Sequence, residues 1–308
     1  MSFELGIGGV SERFRMHANY AFKPTAEQAL RSTQPAARRR LNAALAMTIR
    51  LLYPCDPFNP KLPDEVYAAE FQAAKALGIA CSVFPLELLG QPRLRAFPPA
   101  EEGERVIYRG WMLEPTEYEK LHAVIESWGA SPLTSLKNYL ACHHLPNWYS
   151  LVGELTPETV VVPSDSGVEK TAIGLGWDGF FVKDFVKSLT TARGSIAKTP
   201  AEAEEIAKEI EKCRGKIEGG ICLRRLERFK TGSERRYFVL EGKVFSAAGQ
   251  VPELVQSVVE KVHSPFYSID VIENDDGALR LVEVGDGQVS DIKEWSPESF
   301  ARIFAGHG

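Results

Sequence analysis

Two carboxylates stand out because each interrupts an apolar, strand-like segment: Asp270 in SIDVI and Glu283 in LRLVEV. The Asp276-Gly277 pair between them is a hairpin-turn signal. If it forms a two-residue turn, Asp270 lies directly opposite Glu283, with Cβ atoms about 4.5–5.5 Å apart. Like charges so placed repel. A divalent cation bridging both would offset the repulsion, and Mg2+ takes carboxylate oxygens together with substrate phosphates. Asp286, in EVGDGQVS, is a third candidate metal ligand or a brace for its loop. The alternatives are that one carboxylate points to solvent, or that a longer loop shifts the register by one residue.

Basic residues supply a complementary set. Lys183 follows three apolar residues in FFVKDFVKS, so it projects from a buried strand. A buried lysine is uncommon unless it is paired or holds an anion. Lys187 lies four residues on, and the segment from Ser188, SLTTARGSIAK, has the small polar composition of a phosphate-covering loop. The plainer alternatives are a salt bridge from Lys183 to Asp184 or Glu227, and a solvated Lys187. In ERRYFVLEG, strand alternation sends Arg235 and Arg236 to opposite faces, so one can face a site. The planar, permanently charged guanidinium suits the spread charge of a transferring phosphoryl group. Arg224, Arg225 and Glu227, in LRRLERF, fall where a strand leaves its sheet. Glu227 could accept from two ribose hydroxyls or pair with a neighbouring arginine. The histidines carry less: His143 and His144 are adjacent, and His263 has no evident carboxylate or cysteine partner.

The elements that must position these groups fall into two textures. From 47 to 136, short apolar strands alternate with helices. In DEVYAAEFQAAKALG the spacing puts Val66, Ala69, Ala73 and Leu77 on one helical face, and in EPTEYEKLHAVIESWG it does so for Leu121, Val124, Ile125 and Trp128. This alternation predicts a small parallel α/β sheet. From 137 to 308, a helix-rich connector leads to longer strands joined by hairpins, including the Glu241-Gly242 turn signal, which reads as α+β with antiparallel sheets. One helix there is fully punctuated, with Thr199 at the N-cap, Pro200 at N1, Glu202 at N3 and Gly215 after its end. Residues 1–46 read as a separate, loosely ordered extension: they carry a net charge of +4 against −9 for the remainder, and no strand pattern.

Composition bounds the function. The chain has 308 residues and 44% hydrophobic content, enough for a core without disulfide or metal. Its five cysteines form no CxxC pair and read as reduced packing residues of a cytoplasmic protein. No run reaches the roughly 20 apolar residues of a membrane span. The acidic body argues against nucleic-acid binding. No GxxxxGK[ST] loop and no GxGxxG after a strand is present, which removes the main support for P-loop, dinucleotide-binding and protein-kinase readings.

The order of these motifs resembles the ATP-grasp superfamily, most nearly its R-two-K clade. FVKDFVKS, a helix, LRRLERF, ERRYFVLEGKVFSA, SIDV and LVEVGDGQVS follow in the family's sequence, and YPCDPFNPKLPDEVYAAE, IYRGWML and LPNWYSL resemble the clade's N-terminal half. The likeness covers about 47–295. It implies an ATP-grasp fold, α/β plus α+β: a small parallel pre-ATP-grasp domain over 47–136, then two α+β subdomains over 137–308 holding ATP between antiparallel sheets. It also implies that Lys183 and Lys187, with Ser188 and Arg225 beside them, bind the nucleotide, that Glu227 lies near the acid holding ribose, and that Arg236 contacts phosphates as a catalytic arginine. Asp270 and Glu283 match the family's paired Mg2+ acids. Two positions depart from the family pattern: Gly285 stands where many members have Asn, and the phosphate loop has only Gly194. The implied activity is an ATP- and Mg2+-dependent carboxylate–amine ligase that forms an acylphosphate, releases ADP and phosphate, and acts on a small-molecule or peptide carboxylate with an amine co-substrate. Arg109, in YRGW, is the candidate grip for a substrate carboxylate, its alternative being an ion pair between domains. A phosphotransferase involving His263 and a nucleotide-sensing module without turnover are the competing functions.

Overall fold

A computed structural model describes residues 48–306, apart from 92, 164, 187, 189–192 and 216. The expected extension over 1–46 and Lys187 therefore lie outside the described residues. The described residues form three four-stranded sheets, the first parallel and the other two antiparallel.

The parallel sheet has the order β2-β1-β3-β4, from β1 (Ile49–Pro54), β2 (Ala80–Phe84), β3 (Arg105–Tyr108) and β4 (Ser131–Pro132). Helix α1 (Ala68–Ala76) packs on one face and α2 (Pro115–Ser127) on the other. The α2 stripe is as expected at Leu121 and Ile125, joined by Tyr118. The α1 face is rotated: Val66 and Leu77 are exposed, and Glu70, Phe71, Ala73 and Ala74 are buried. An ion pair from Arg109 draws Glu70 inward, so an acidic residue takes part in the buried face.

Helices α3 (Leu136–His143) and α4 (Leu145–Val152) lead to the sheet β5-β8-β6-β7. It comprises β5 (Thr159–Val161), β6 (Phe180–Asp184), β7 (Ile196–Ala197) and β8 (Ile221–Arg225), covered by α5 (Val168–Leu175) and α6 (Pro200–Arg214). Helix α6 has the punctuation read from sequence: the Thr199 hydroxyl accepts from the Glu202 amide at 3.2 Å, and Gly215 closes the helix in a left-handed conformation.

The third sheet runs β10-β9-β11-β12, from β9 (Arg235–Leu240), β10 (Lys243–Ser246), β11 (Phe266–Glu273) and β12 (Leu279–Asp286). Its α4 side, completed by α7 (Glu253–Val259), buries Ile269, Val271, Leu281 and Val284. The opposite side shares a core with β1, α1 and the final helix α8 (Pro297–Ala301), through Phe238, Phe266, Trp295 and Phe300. One hydrophobic core thus spans both halves of the chain.

The two hairpins of this sheet differ. Leu240 pairs with Lys243 across Glu241 and Gly242, both at positive φ, so that turn has the expected two residues. In the second, Asn274 bonds Ala278 and Gly277 donates to Asn274, giving a three-residue tip at Asp275, Asp276 and Gly277. The register there is one residue away from the two-residue expectation. A β-bulge between Asp270 and Val271 restores it, and Asp270 pairs with Glu283 after all.

Of the five cysteines, Cys55, Cys81, Cys142 and Cys222 are buried and Cys213, on α6, is exposed. Burial pushes the Cys81 and Cys222 thiols up to about 12. No helix among the described residues is long and apolar enough to cross a membrane.

Candidate functional site

The two antiparallel sheets face each other across a cleft of about 420 Å³, and the charged residues of their facing strands converge there. Lys183 enters from β6, as a lysine ending an apolar run must when alternate residues line one face. It is 5% exposed, and its Nζ lies 3.0 Å from Glu283 on β12. Ser188 bridges back to Lys183 and lines the same cleft. The predicted salt-bridge partners Asp184 and Glu227 are not the ones found for Lys183. Glu227 is instead held by two hydrogen bonds of 2.9 Å from Arg280.

The arginine facing this cleft is Arg224, not Arg225. In the ladder, Phe181 pairs with Arg224 and Lys183 with Cys222, so Arg224 shares the Lys183 face. Arg225 points the other way, is exposed, and lies 3.7 Å from Glu158. Strand alternation across the β6–β8 pair was the signal that would have chosen between them. Arg224 is buried, donates to the Val282 carbonyl at 2.9 Å and the Thr156 hydroxyl at 2.6 Å, and its Nε has no partner among the described residues.

Arg236 enters from β9 with Arg235 turned outward, as alternation required. Its guanidinium grips Asp270 through two parallel hydrogen bonds of 2.7 and 2.6 Å and also reaches Asp291. Lys293 adds a third bond to Asp270, at 2.8 Å. Burial would raise the Asp270 carboxyl, but Arg236 and Lys293 outweigh it and hold it below the usual carboxylate range. The repulsion expected between Asp270 and Glu283 is thus offset by the protein's own cations, Arg236 and Lys293 on one acid and Lys183 on the other. Sequence reasoning missed Lys293 and Asp291, which sit in an aperiodic segment where no spacing rule applies.

Asp286 stands apart. Among the described residues no three acidic, histidine or cysteine side chains are grouped to hold a metal. The next residues on the chain draw Asp286 away: its Oδ1 accepts from the Gln288 amide and side chain, both at 3.0 Å, and its buried Oδ2 has no partner among the described residues. Burial pushes this carboxyl up to about 7.

A second cleft, about 460 Å³, meets the first at Glu283 and Val186. Its walls carry Tyr67, Trp111 and Met112 from the parallel-sheet half, and its floor Arg236, Asp286 and His143. Arg109 lies behind this wall with no exposed surface. It grips a carboxylate of the protein itself, Glu70, through Nη2 at 2.9 Å, donates to the carbonyls of Gly287 and Ser290, and stacks on Phe300 at 4.5 Å. The ion pair is therefore made within the 47–136 half rather than between domains, and Arg109 reaches the other half only through the Gly287 and Ser290 carbonyls. His263 lines a separate surface hollow with Glu241 and Tyr267.

Residues 158–303 match the sequence model of the ATP-grasp domain, R-two-K clade family 3. Solved structures share the fold at low identity. D-cycloserine synthetase DcsG superposes with a TM-score of 0.58 at 15% identity, over 83% of this chain and 98% of its own. The D-alanine-D-alanine ligase from Coxiella burnetii gives 0.56 and 14%, over 83% and 94%. The macrocyclase MdnC from Microcystis aeruginosa, solved with its precursor peptide MdnA, gives 0.54 and 11%, over 83% and 99%. No curated protein matches the chain in sequence.

Proposed function

We propose, from the match of residues 158–303 to the sequence model of the R-two-K clade ATP-grasp domain, that the protein is an ATP- and Mg2+-dependent carboxylate–amine ligase. The observation that carries this reading is the convergence of Lys183, Arg224 and Glu283 on one cleft, with Arg236 and Asp270 on the adjoining strands. In the reaction, a substrate carboxylate oxygen attacks the γ-phosphorus of ATP and ADP leaves, giving an acylphosphate. An amine then attacks the acyl carbon, loses a proton, and expels phosphate as the amide forms. The work of the chain is positioning and charge neutralisation. Lys183 and Arg224 face the phosphates, with Ser188 beside them in the same cleft. Glu227 at the strand exit takes the ribose if Arg280 shares it.

The donor chemistry fits Mg2+. Two hard carboxylates face each other on one ladder beside the Lys183 and Arg236 cations, and such a pair suits an ion that keeps substrate phosphates in its coordination shell. Glu283 and Asp270 would hold it, and when bound it would neutralise phosphate charge. The second cleft, with aromatic walls and Arg236 at its floor, is the place for the acid and amine. The solved neighbours are named as ligases or synthetases of amino-acid-like molecules and as a peptide macrocyclase, which supports an amino acid or peptide as substrate. Both acids are retained, which favours turnover over sensing. The test is product analysis with amino acids and peptides in pairs: ADP and phosphate are expected, and AMP with pyrophosphate would exclude the acylphosphate route.

A further inference from the structure

Lys293 lies outside every role assigned so far, yet it touches the acid at the centre of the site. Its backbone is left-handed, with φ at +42°. Such a conformation in a residue with a side chain persists where the surroundings impose it, commonly at functional sites. Its ammonium lies 2.8 Å from Asp270 Oδ2 and 2.6 Å from Glu234 Oε1, and Glu234 lines the cleft shared by Lys183 and Arg224.

Asp270 therefore has two cationic partners of unlike mobility. The Arg236 side chain is 7% exposed and is fixed by its fork geometry on Asp270 and by Asp291. The Lys293 side chain is 27% exposed and ends in a compact point charge on a flexible stem. A divalent cation reaching Asp270 can displace the lysine far more readily than the arginine. Glu234 would still keep the released ammonium at the cleft wall. Resting on the ligase reading, we propose that Lys293 is a further residue of the nucleotide site. It occupies the metal position on Asp270 while the site is empty, and it turns its charge to the polyphosphate when a divalent cation takes that position.

Calorimetry on the full chain tests this without turnover, using Mn2+ alone and ADP with Mg2+ on wild type, Lys293→Met and Lys293→Arg. Removing the competitor should tighten Mn2+ binding by about tenfold in Lys293→Met, a gain that misfolding does not produce. The same variant should bind ADP with Mg2+ about tenfold more weakly, and Lys293→Arg should restore that affinity to within about threefold of wild type, tenfold being about 1.4 kcal/mol. Unchanged Mn2+ affinity or unchanged ADP affinity in Lys293→Met overturns the proposal, as does a loss in Lys293→Arg equal to that in Lys293→Met. Wild type that binds neither ADP nor Mn2+ overturns the ligase reading itself, and this inference with it.

Discussion

Asp270 and Glu283 face each other on one ladder, but their side chains are held so differently that substitution should separate stability from chemistry. Asp270 is 1% exposed and bound by Arg236 and Lys293, so Asp270→Asn breaks a buried ion pair. The cost is about 3–5 kcal/mol, and thermal unfolding should show it. Relief of repulsion would have made the same change mildly stabilising, and the protein's own cations reverse that sign. In Glu283→Gln the amide oxygen still accepts from Lys183, so the loss should be only about 1–2 kcal/mol, while turnover, measured as ADP release, should fall by about 100-fold or more. Normal turnover in Glu283→Gln would remove the metal assignment. His143 offers a pH test. It is buried and stacked on Tyr139, and burial lowers its imidazole to about 4. The unfolded chain takes up this proton near pH 6.5 and the folded chain only near 4, so stability is fully present above 6.5 and falls between 6.5 and 4. The fall amounts to on the order of 3 kcal/mol, and the wild-type melting curve should flatten over that range in His143→Gln. Lys183, Asp270 and Glu283 were legible in the sequence because each interrupts an apolar strand-like segment, and Arg236 because strand alternation turns it and Arg235 to opposite faces. Of the adjacent Arg224 and Arg225, the sequence favoured Arg225, because strand pairing across β6–β8 is non-local and no turn fixes its register.

Among the elements, α6 was read most completely, since its caps and first turn are local chemistry. Thr199→Ala should cost about 1 kcal/mol, measurable as a shift in denaturant midpoint with unchanged slope. The β9–β10 turn was equally local, with two consecutive positive-φ positions at Glu241 and Gly242. The β11–β12 hairpin is more instructive. Its tip has three residues rather than two, yet the acid pair is right, because the bulge shifts the register back. A tip preference is visible in Asp276-Gly277, but a bulge answers to burial on both sides of it. Leu281 and Val284 are three apart and both lie in the core, so Val282 and Glu283 are turned together toward the cleft. Helix α1 failed in the opposite way. Its apolar spacing favoured Val66 and Leu77, but the buried pairing of Glu70 with Arg109 decided which face turned inward.

At the scale of the whole molecule, the parallel-sheet half and the antiparallel half meet through a shared aromatic core and through Arg109. The segment after β12 that carries Asp291, a partner of Arg236, is held by Arg109 at the Gly287 and Ser290 carbonyls. Arg109→Ala strips Glu70 of its buried partner and should lower stability by about 3–5 kcal/mol. Affinity for ADP with Mg2+ should fall as well, because the segment loses its anchor; a full loss of stability with unchanged affinity would show that Arg109 serves packing alone. The order of the sheets was legible from the change of texture near residue 137, whereas their common core was not, since it joins residues about 200 apart, such as Leu51 and Phe266. The distribution of thiols gives this architecture a practical use. Four cysteines are buried, and Cys213 stands exposed on the helix covering the β5-β8-β6-β7 sheet. A maleimide dye should therefore attach to native protein at one place, with no engineering, on the lobe opposite the β9–β12 sheet. A second dye at an introduced surface cysteine on that other sheet would turn the pair into an optical ruler, reading whether the lobes draw together as nucleotide is added.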